Sequence, residues 1–181
     1  VYSAGKRAKD LVKQILAFAR QSDEKRSPTQ PSMVAKEVLK FIRSTIPTTI
    51  EIKQAFESDS WVMGNTTQIH QVLMNLCTNA AHAMEESGGI LDVGLKDVNI
   101  DKKELSIGMK PGDYIELKVS DTGAGIPPEI IGSVFEPYFT TKRVGEGTGM
   151  GLAMVQGVVE SYGGIISVES QLGKGTTFTI Y

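Results

Sequence analysis

Cysteine is nearly absent from this chain. Cys77 is the only one in 181 residues, which excludes an internal disulfide and any multi-cysteine metal site. It lies in an apolar helical run, where a lone thiol serves as a small core residue rather than a reactive group. Long apolar runs are also missing. No stretch approaches the ~20 residues that span a bilayer, and no signal peptide is present. The expectation is a cytosolic piece, with any membrane anchor elsewhere in a longer protein. The chain reads as cut from such a protein, since it opens in mid-helix and stops at Tyr181 inside a strand pattern. Charge of one sign is lacking too. Lysine and arginine number 19 against 21 acidic residues, a net charge of -2, so nothing supports nucleic-acid binding through bulk charge. A polyanion would have to be held locally, by backbone amides and a few placed cations.

What is present is a chain for one domain plus a short extension, 40% apolar and 22% charged, which argues for a packed core and against disorder. Ala8, Leu11, Ile15, Phe18 and Ala19 recur at helical spacing in a leading segment. A polar break with Pro28 and Pro31 follows and reads as a linker over 28–32. Helix is predicted over Met33 to Arg43, strand around Ile50 to Ile52 and Trp61 to Met63, and helix again from Thr66 to Glu86, stopped by Gly88 and Gly89. Strands follow at Ile90 to Val98 and Tyr114 to Ser120. After a long glycine-rich region come a helix from Met150 to Tyr162 and strands at Ile165 to Glu169 and Thr176 to Ile180. The sum is α+β: a mixed sheet with helices on one face, preceded by a detached helix. Strict strand–helix alternation, and a G-x-G-x-x-G turn after the first strand, are both wanting, which excludes a doubly wound dinucleotide fold.

Five patterns carry chemistry. On the helix from Thr66, residues Ile69, Leu73, Leu76, Ala80 and Ala83 share an apolar face, and Asn75, Asn79 and His82 line its border. Two amides and an imidazole in a row can hold a hydrated cation and phosphate oxygens; they can equally be the solvated flank of an amphipathic helix. Next, Asp121-Thr-Gly-Ala-Gly-Ile-Pro127 puts a carboxylate at a strand end beside two glycines that let backbone approach a flat ligand. Such a carboxylate can accept from the exocyclic amine of adenine, a donor guanine lacks there, although alone the pattern is also a tight turn. Third, Gly145-Glu-Gly-Thr-Gly-Met-Gly-Leu152 leads into a helix, and its N–H groups make an anion site. It is no Walker loop, because no G-K-[ST] follows. Between the two glycine runs, Phe135 to Arg143 offers aromatic anchors plus Lys142 and Arg143 for phosphates. Last, Gly173-Lys-Gly-Thr-Thr-Phe178 brings the Thr176 hydroxyl beside whatever Asp121 holds, or simply turns a hairpin.

In their order and spacing these segments resemble the asparagine, first glycine, phenylalanine and second glycine boxes and the final glycine-threonine turn of the histidine kinase catalytic domain. That domain shares its Bergerat-type, two-layer fold with DNA gyrase, MutL and the ninety-kilodalton heat-shock chaperone. The resemblance runs from Met33 to Tyr181. It implies ATP and Mg2+ as ligands. Asn79 would bind the metal, with Asn75 and His82 assisting at the phosphates. Asp121 would bind the adenine amine with Thr176 helping, and Gly123, Gly125 and Ile126 would shape that pocket. Phe139, Thr141, Lys142 and Arg143 would belong to a short lid like that of nitrogen-regulatory kinases. Gly147, Thr148, Gly149, Met150, Gly151 and Leu152 would close over the triphosphate. The leading segment resembles the second helix of the dimerisation hairpin, giving domains at 1–27, a linker at 28–32 and a catalytic domain at 33–181.

The resemblance further implies a homodimer through that hairpin and a response-regulator receiver as partner. The phosphoacceptor histidine would precede Val1. His70 lies five residues from Asn75, about 140° around the helix, and so points away from the pocket. The nearest rival is a clamp-type ATPase of the same superfamily, but such enzymes place a water-activating glutamate four residues before the metal asparagine. Here that position is Asn75, and an amide is no general base. A noncatalytic nucleotide-binding or docking module and a serine kinase of the anti-sigma type are the other readings; the hairpin-like first helix disfavours the latter.

Overall fold

The computed structural model of the chain describes residues 26–101, 110–142 and 147–181. Apart from Arg26 and Ser27, the leading helix expected over 1–27 lies outside the described residues, as does Arg143. In chain order the elements are β1 (Ser27–Thr29), α1 (Pro31–Thr45), β2 (Ile50–Phe56), β3 (Val62–Gly64), α2 (Thr66–Ala83) and β4 (Gly89–Ile100). They continue with β5 (Gly112–Asp121), α3 (Pro128–Ile131), α4 (Gly151–Ser161), β6 (Ile166–Gln171) and β7 (Gly175–Ile180).

Alternation builds the sheet. Leu91, Val93 and Leu95 of β4 are buried while Asp92 and Lys96, at alternate positions, are exposed, as a period of two requires. β5 buries Leu117 and Val119 on the same side and pairs antiparallel with β4, setting Leu91 opposite Asp121. The five-stranded order is β2-β4-β5-β7-β6, with only the β2–β4 pair parallel. Val34, Val38 and Ile42 of α1, Leu73 and Leu76 of α2, and Val155 and Val159 of α4 join those inward residues in one core. A single core fed by one side of each strand puts these helices on one face, the two-layer α+β arrangement expected. The other face is polar, with Lys96 and Glu116 paired across β4 and β5 at 3.2 Å. Each fully buried aliphatic side chain contributes about 1.5–3 kcal/mol, and Cys77 adds to the same core, its thiol pushed up to about 12 by burial.

Local chemistry sets the helix ends. Pro31 opens α1, where its missing N–H is no loss, so α1 begins earlier than Met33. Its C-terminus is finished by Arg43, which donates to the carbonyls of Ile46, Pro47 and Ile50. Asn65 caps α2, its Oδ1 accepting from Thr67 N and Gln68 N. α2 ends at Ala83 rather than Glu86, because the Met84 N–H turns to the Ala81 carbonyl at 3.2 Å and tightens the last turn. The segment read as a linker is instead β1 and the start of α1. Ser27 to Thr29 pair antiparallel with β3, and Thr29 is buried; Pro28 is tolerated there because a two-stranded ribbon is all edge. Helix α3, within the glycine-rich region, was not expected from sequence.

Tyr162 bolts the two helices that flank the site. Its hydroxyl accepts from Asn65 N at 2.9 Å and donates to Gln68 Oε1, joining the end of α4 to the start of α2. Tyr162→Phe removes both bonds and should lower unfolding free energy by about 1–2 kcal/mol. Urea denaturation checks this, and an unchanged midpoint would show the bolt to be idle.

Candidate functional site

Asp121 closes β5 and is 7% exposed. Its Oδ1 accepts the N–H of Gly123 at 2.8 Å and that of Thr176 at 3.3 Å. Both bonds fall on one oxygen, so Oδ2 remains as an acceptor, and the residue borders a cavity of about 580 Å³, the size of small-molecule sites. Burial raises its carboxyl above the ordinary range, and the two backbone bonds pull the other way. The close fit depends on glycine. A Cβ at Gly123 would lie 2.5 Å from the Ala83 carbonyl oxygen, and one at Gly175 would lie 1.9 Å from the Asp121 carbonyl oxygen. The first approach seats the turn after β5 on the last residue of α2, where Ala124 N also donates to Ala83 O, and the second lays the start of β7 on the end of β5.

The polar border of α2 meets the same cavity, with Asn75, Asn79 and His82 all lining it. Asn75 Nδ2 donates to Gln71 O at 2.8 Å, leaving its Oδ1 toward the start of α4, where a Cβ on Gly151 would come within 2.8 Å of it. Asn79 Oδ1 accepts from Lys142 Nζ at 3.2 Å. Burial holds the Lys142 ammonium below the ordinary lysine range, against the raising charge of Glu85. His82 is exposed, with Nδ1 3.4 Å from Glu85 Oε2. His70 does not line the cavity, in keeping with its expected direction.

The glycine run supplies the opposite wall. Gly147, Thr148, Gly149, Gly151 and Leu152 line the cavity, as do Phe139, Thr141 and Lys142. α4 starts there with no side chain capping it, so its first N–H groups are available to an anion. Gly125, Ile126 and Thr176 complete the expected set. Two expected residues stand back. Gly123 lies behind Asp121 against Ala83, and Met150 is the N-cap residue of α4 rather than a lining residue. Apolar lining from Ile130, Val134 and Phe178 was not anticipated, nor was Ser170. The Ser170 hydroxyl accepts from Ile126 N at 2.7 Å, donates to Gly175 O and lies 2.9 Å from Thr176 Oγ1. Only the β6–β7 register, which sets Ser170 opposite Thr176, brings it there.

Among the described residues, no group of three or more histidine, cysteine, aspartate or glutamate side chains is placed to hold a metal. An ion beside Asn79 would take most of its oxygens from an anionic ligand and water, which is how Mg2+ binds. A larger hollow of about 970 Å³ lies elsewhere, lined by Trp61, Tyr114 and Tyr162 and by the carboxylates of Asp97 and Asp113. Arg26 in it is committed to Ser161 O and the Tyr162 ring. It offers a polyphosphate nothing comparable. Among the described residues no helix is long and apolar enough to cross a membrane.

Residues 64–181 match the family described as histidine kinase-, DNA gyrase B-, and HSP90-like ATPase. The chain is 39% identical over 180 residues to sensor kinase CckA of Brucella abortus, covering 97% of this chain and 19% of that protein. It is 39% identical over 120 residues to sensor histidine kinase ZraS of Salmonella typhimurium, covering 66% of this chain and 23% of that one. The chain thus spans about a fifth of the length of these relatives. Full-length ShkA, solved in complex with AMPPNP, superposes with a TM-score of 0.72 at 26% identity over 98% of this chain and 36% of that one. The catalytic domain of histidine kinase ThkA gives 0.69 at 26%, over 87% and 94%.

Asp121→Asn keeps an oxygen for both backbone N–H groups and deletes the buried charge. A carboxyl raised in the folded state contributes stability that is full below its unfolded pKa and lost as pH rises through the folded one. At pH 7 the variant should therefore be at least as stable as the parent, and the two should converge as pH falls into the carboxylate range. Urea titrations at both pH values test this; a variant less stable by more than about 1 kcal/mol at pH 7 would mean that the charged hydrogen bonds outweigh burial.

Proposed function

The chain belongs to the histidine kinase-, DNA gyrase B- and HSP90-like ATPase family and carries the ATP-binding catalytic domain of a sensor histidine kinase; from that premise we propose that its cavity orients magnesium ATP for transfer to an acceptor histidine that these 181 residues do not include. The observation that carries this reading is the cavity's acid inventory. Among the described lining residues Asp121 is the only carboxylate, and both of its known bonds tie it to the backbone at the adenine end. No lining carboxylate stands beside Asn79 to activate water, so the γ-phosphoryl group is kept for a protein acceptor.

Magnesium ATP supplies the phosphoryl group and neutralising charge. The chain's own residues bind and orient. Asp121 Oδ2 accepts from the adenine amine, with Thr176 beside it and Ile126 against the ring. Asn79 holds the metal, and Asn75 and His82 attend the phosphates. Gly147, Gly149, Gly151 and the N-terminus of α4 receive the triphosphate, and Lys142 adds a cation. Catalysis then rests on position and charge, with a histidine nitrogen in line with the γ-phosphorus. A response-regulator aspartate would be the next acceptor. In this reading residues 1–27 belong to the dimerisation hairpin of a longer, homodimeric kinase, and this part of it works in the cytosol.

Three outcomes follow. ATP should bind more tightly than GTP by calorimetry, and Asp121→Asn should weaken ATP by about 1–3 kcal/mol; equal affinities would remove Asp121 from adenine selection. Asn79→Ala should impair metal-dependent binding far more than His70→Ala, and similar losses would mean the helix faces are misassigned. With γ-labelled ATP, these 181 residues should bind without acquiring acid-labile label or releasing phosphate rapidly. Robust label on His70 or His82 would place the acceptor within the chain and overturn the reading.

A further inference from the structure

Lys142 sits where the metal is assigned. Its Nζ is 3.2 Å from Asn79 Oδ1, the oxygen given above to magnesium, and its side chain lies partly buried along the cavity. The contact is supported from several sides. The Lys142 N–H donates to Thr140 Oγ1 at 3.2 Å, and Tyr138 N donates to Gly149 O at 2.9 Å, fixing the base of the segment that carries the lysine. Gly147 makes room for the stem, since a Cβ there would come within 3.1 Å of Lys142 Cδ and 2.8 Å of Thr140 Oγ1.

One amide oxygen serves the two cations poorly together. Mg2+ approaches its oxygens to about 2.1 Å, and an ammonium on the same atom would meet it as a like charge at close range. Occupancy of Asn79 by one therefore disfavours the other. From this we infer that Lys142 is a resident stand-in for the metal: it fills the cation position at Asn79 before nucleotide binds, and yields it to magnesium, moving to a phosphate oxygen. The lysine thereby links the metal to the glycine-rich wall. Without magnesium it remains on Asn79, and only metal entry releases it to the phosphates. The inference rests on the assignment of Asn79 to the metal made above.

The side-chain amide of Asn79 reads this directly. In 15N-labelled protein its signal pair is identified by its loss in Asn79→Ala. Spectra are then compared for the parent and Lys142→Met in three states: nucleotide-free, with AMPPNP in EDTA, and with AMPPNP and Mg2+. The variant should displace the Asn79 signal in the nucleotide-free protein, and this displacement should shrink to near zero once AMPPNP and Mg2+ are bound, because the lysine has left. No displacement in the nucleotide-free state would overturn the proposal, as would an equal displacement in all three states, which would mean that the lysine never leaves. If Mg2+ moves the Asn79 signal in neither protein, Asn79 is not the metal ligand, and the underlying assignment fails with it. Lys142→Arg serves as a folding control that retains the charge; a displacement as large as that of Lys142→Met would mean that charge at Asn79 is not what the signal reports, and would also sink the idea.

Discussion

One carboxylate oxygen organises the Asp121 end of the cavity. Asp121 Oδ1 gathers an N–H from the turn just after β5 and another from β7, so the end of β5 and the distant start of β7 converge on a single atom. The convergence is possible only because backbone passes within touching distance of backbone at Gly123 and Gly175. It has an energetic price, since the charge is kept in a place where burial favours the neutral acid. A domain selected for stability alone would put an amide there. The second oxygen explains the choice: a carboxylate whose bonds all fall on one side is a strong, oriented acceptor on the other.

Helix α2 carries the second constraint. One face must fill the core with Leu73, Leu76 and Cys77, and its border must present Asn75, Asn79 and His82 to the cavity. The helical period makes both demands compatible, because residues three and four apart share a border while the core face lies beside it. Fixing the helix at both ends then fixes the stripe. Asn65 and Tyr162 hold its start, and the turn after β5 rests on Ala83 at its end.

What the sequence disclosed follows the same division. Features set by local periodicity were legible: the alternation of β4 and β5, the core face of α2, its polar border, and Asp121 at a strand end. Features set by long-range register were not. Ser170 looks like any surface serine until β6 pairs with β7 and sets it against Thr176. Ser27 to Thr29, with proline in the middle, read as a break because nothing local announces that β3 waits to pair with it. α3 is four residues long, too short for any periodic signal. Gly123 reads from sequence as shaping the cavity, and the structure packs it against α2 at Ala83. A glycine's need for space is visible in sequence; the neighbour that demands it is not.

The choice between transfer and hydrolysis comes down to which side chains can take a proton near the phosphates. Asn75 has an amide nitrogen already given to the helix backbone and an oxygen facing Gly151, and neither atom is basic. Lys142 and His82 flank Asn79, but a lysine ammonium is a poor proton acceptor, and His82 is exposed beside Glu85 at the rim. Among the described lining residues the site therefore sets a lysine ammonium and N–H donors beside Asn79, with no carboxylate there to arm a water molecule. Such an arrangement lowers the barrier only for a nucleophile that arrives already oriented and already nucleophilic. A neutral imidazole meets that requirement near pH 7, so the lack of a lining carboxylate beside Asn79 and the proposed histidine acceptor are consistent with each other.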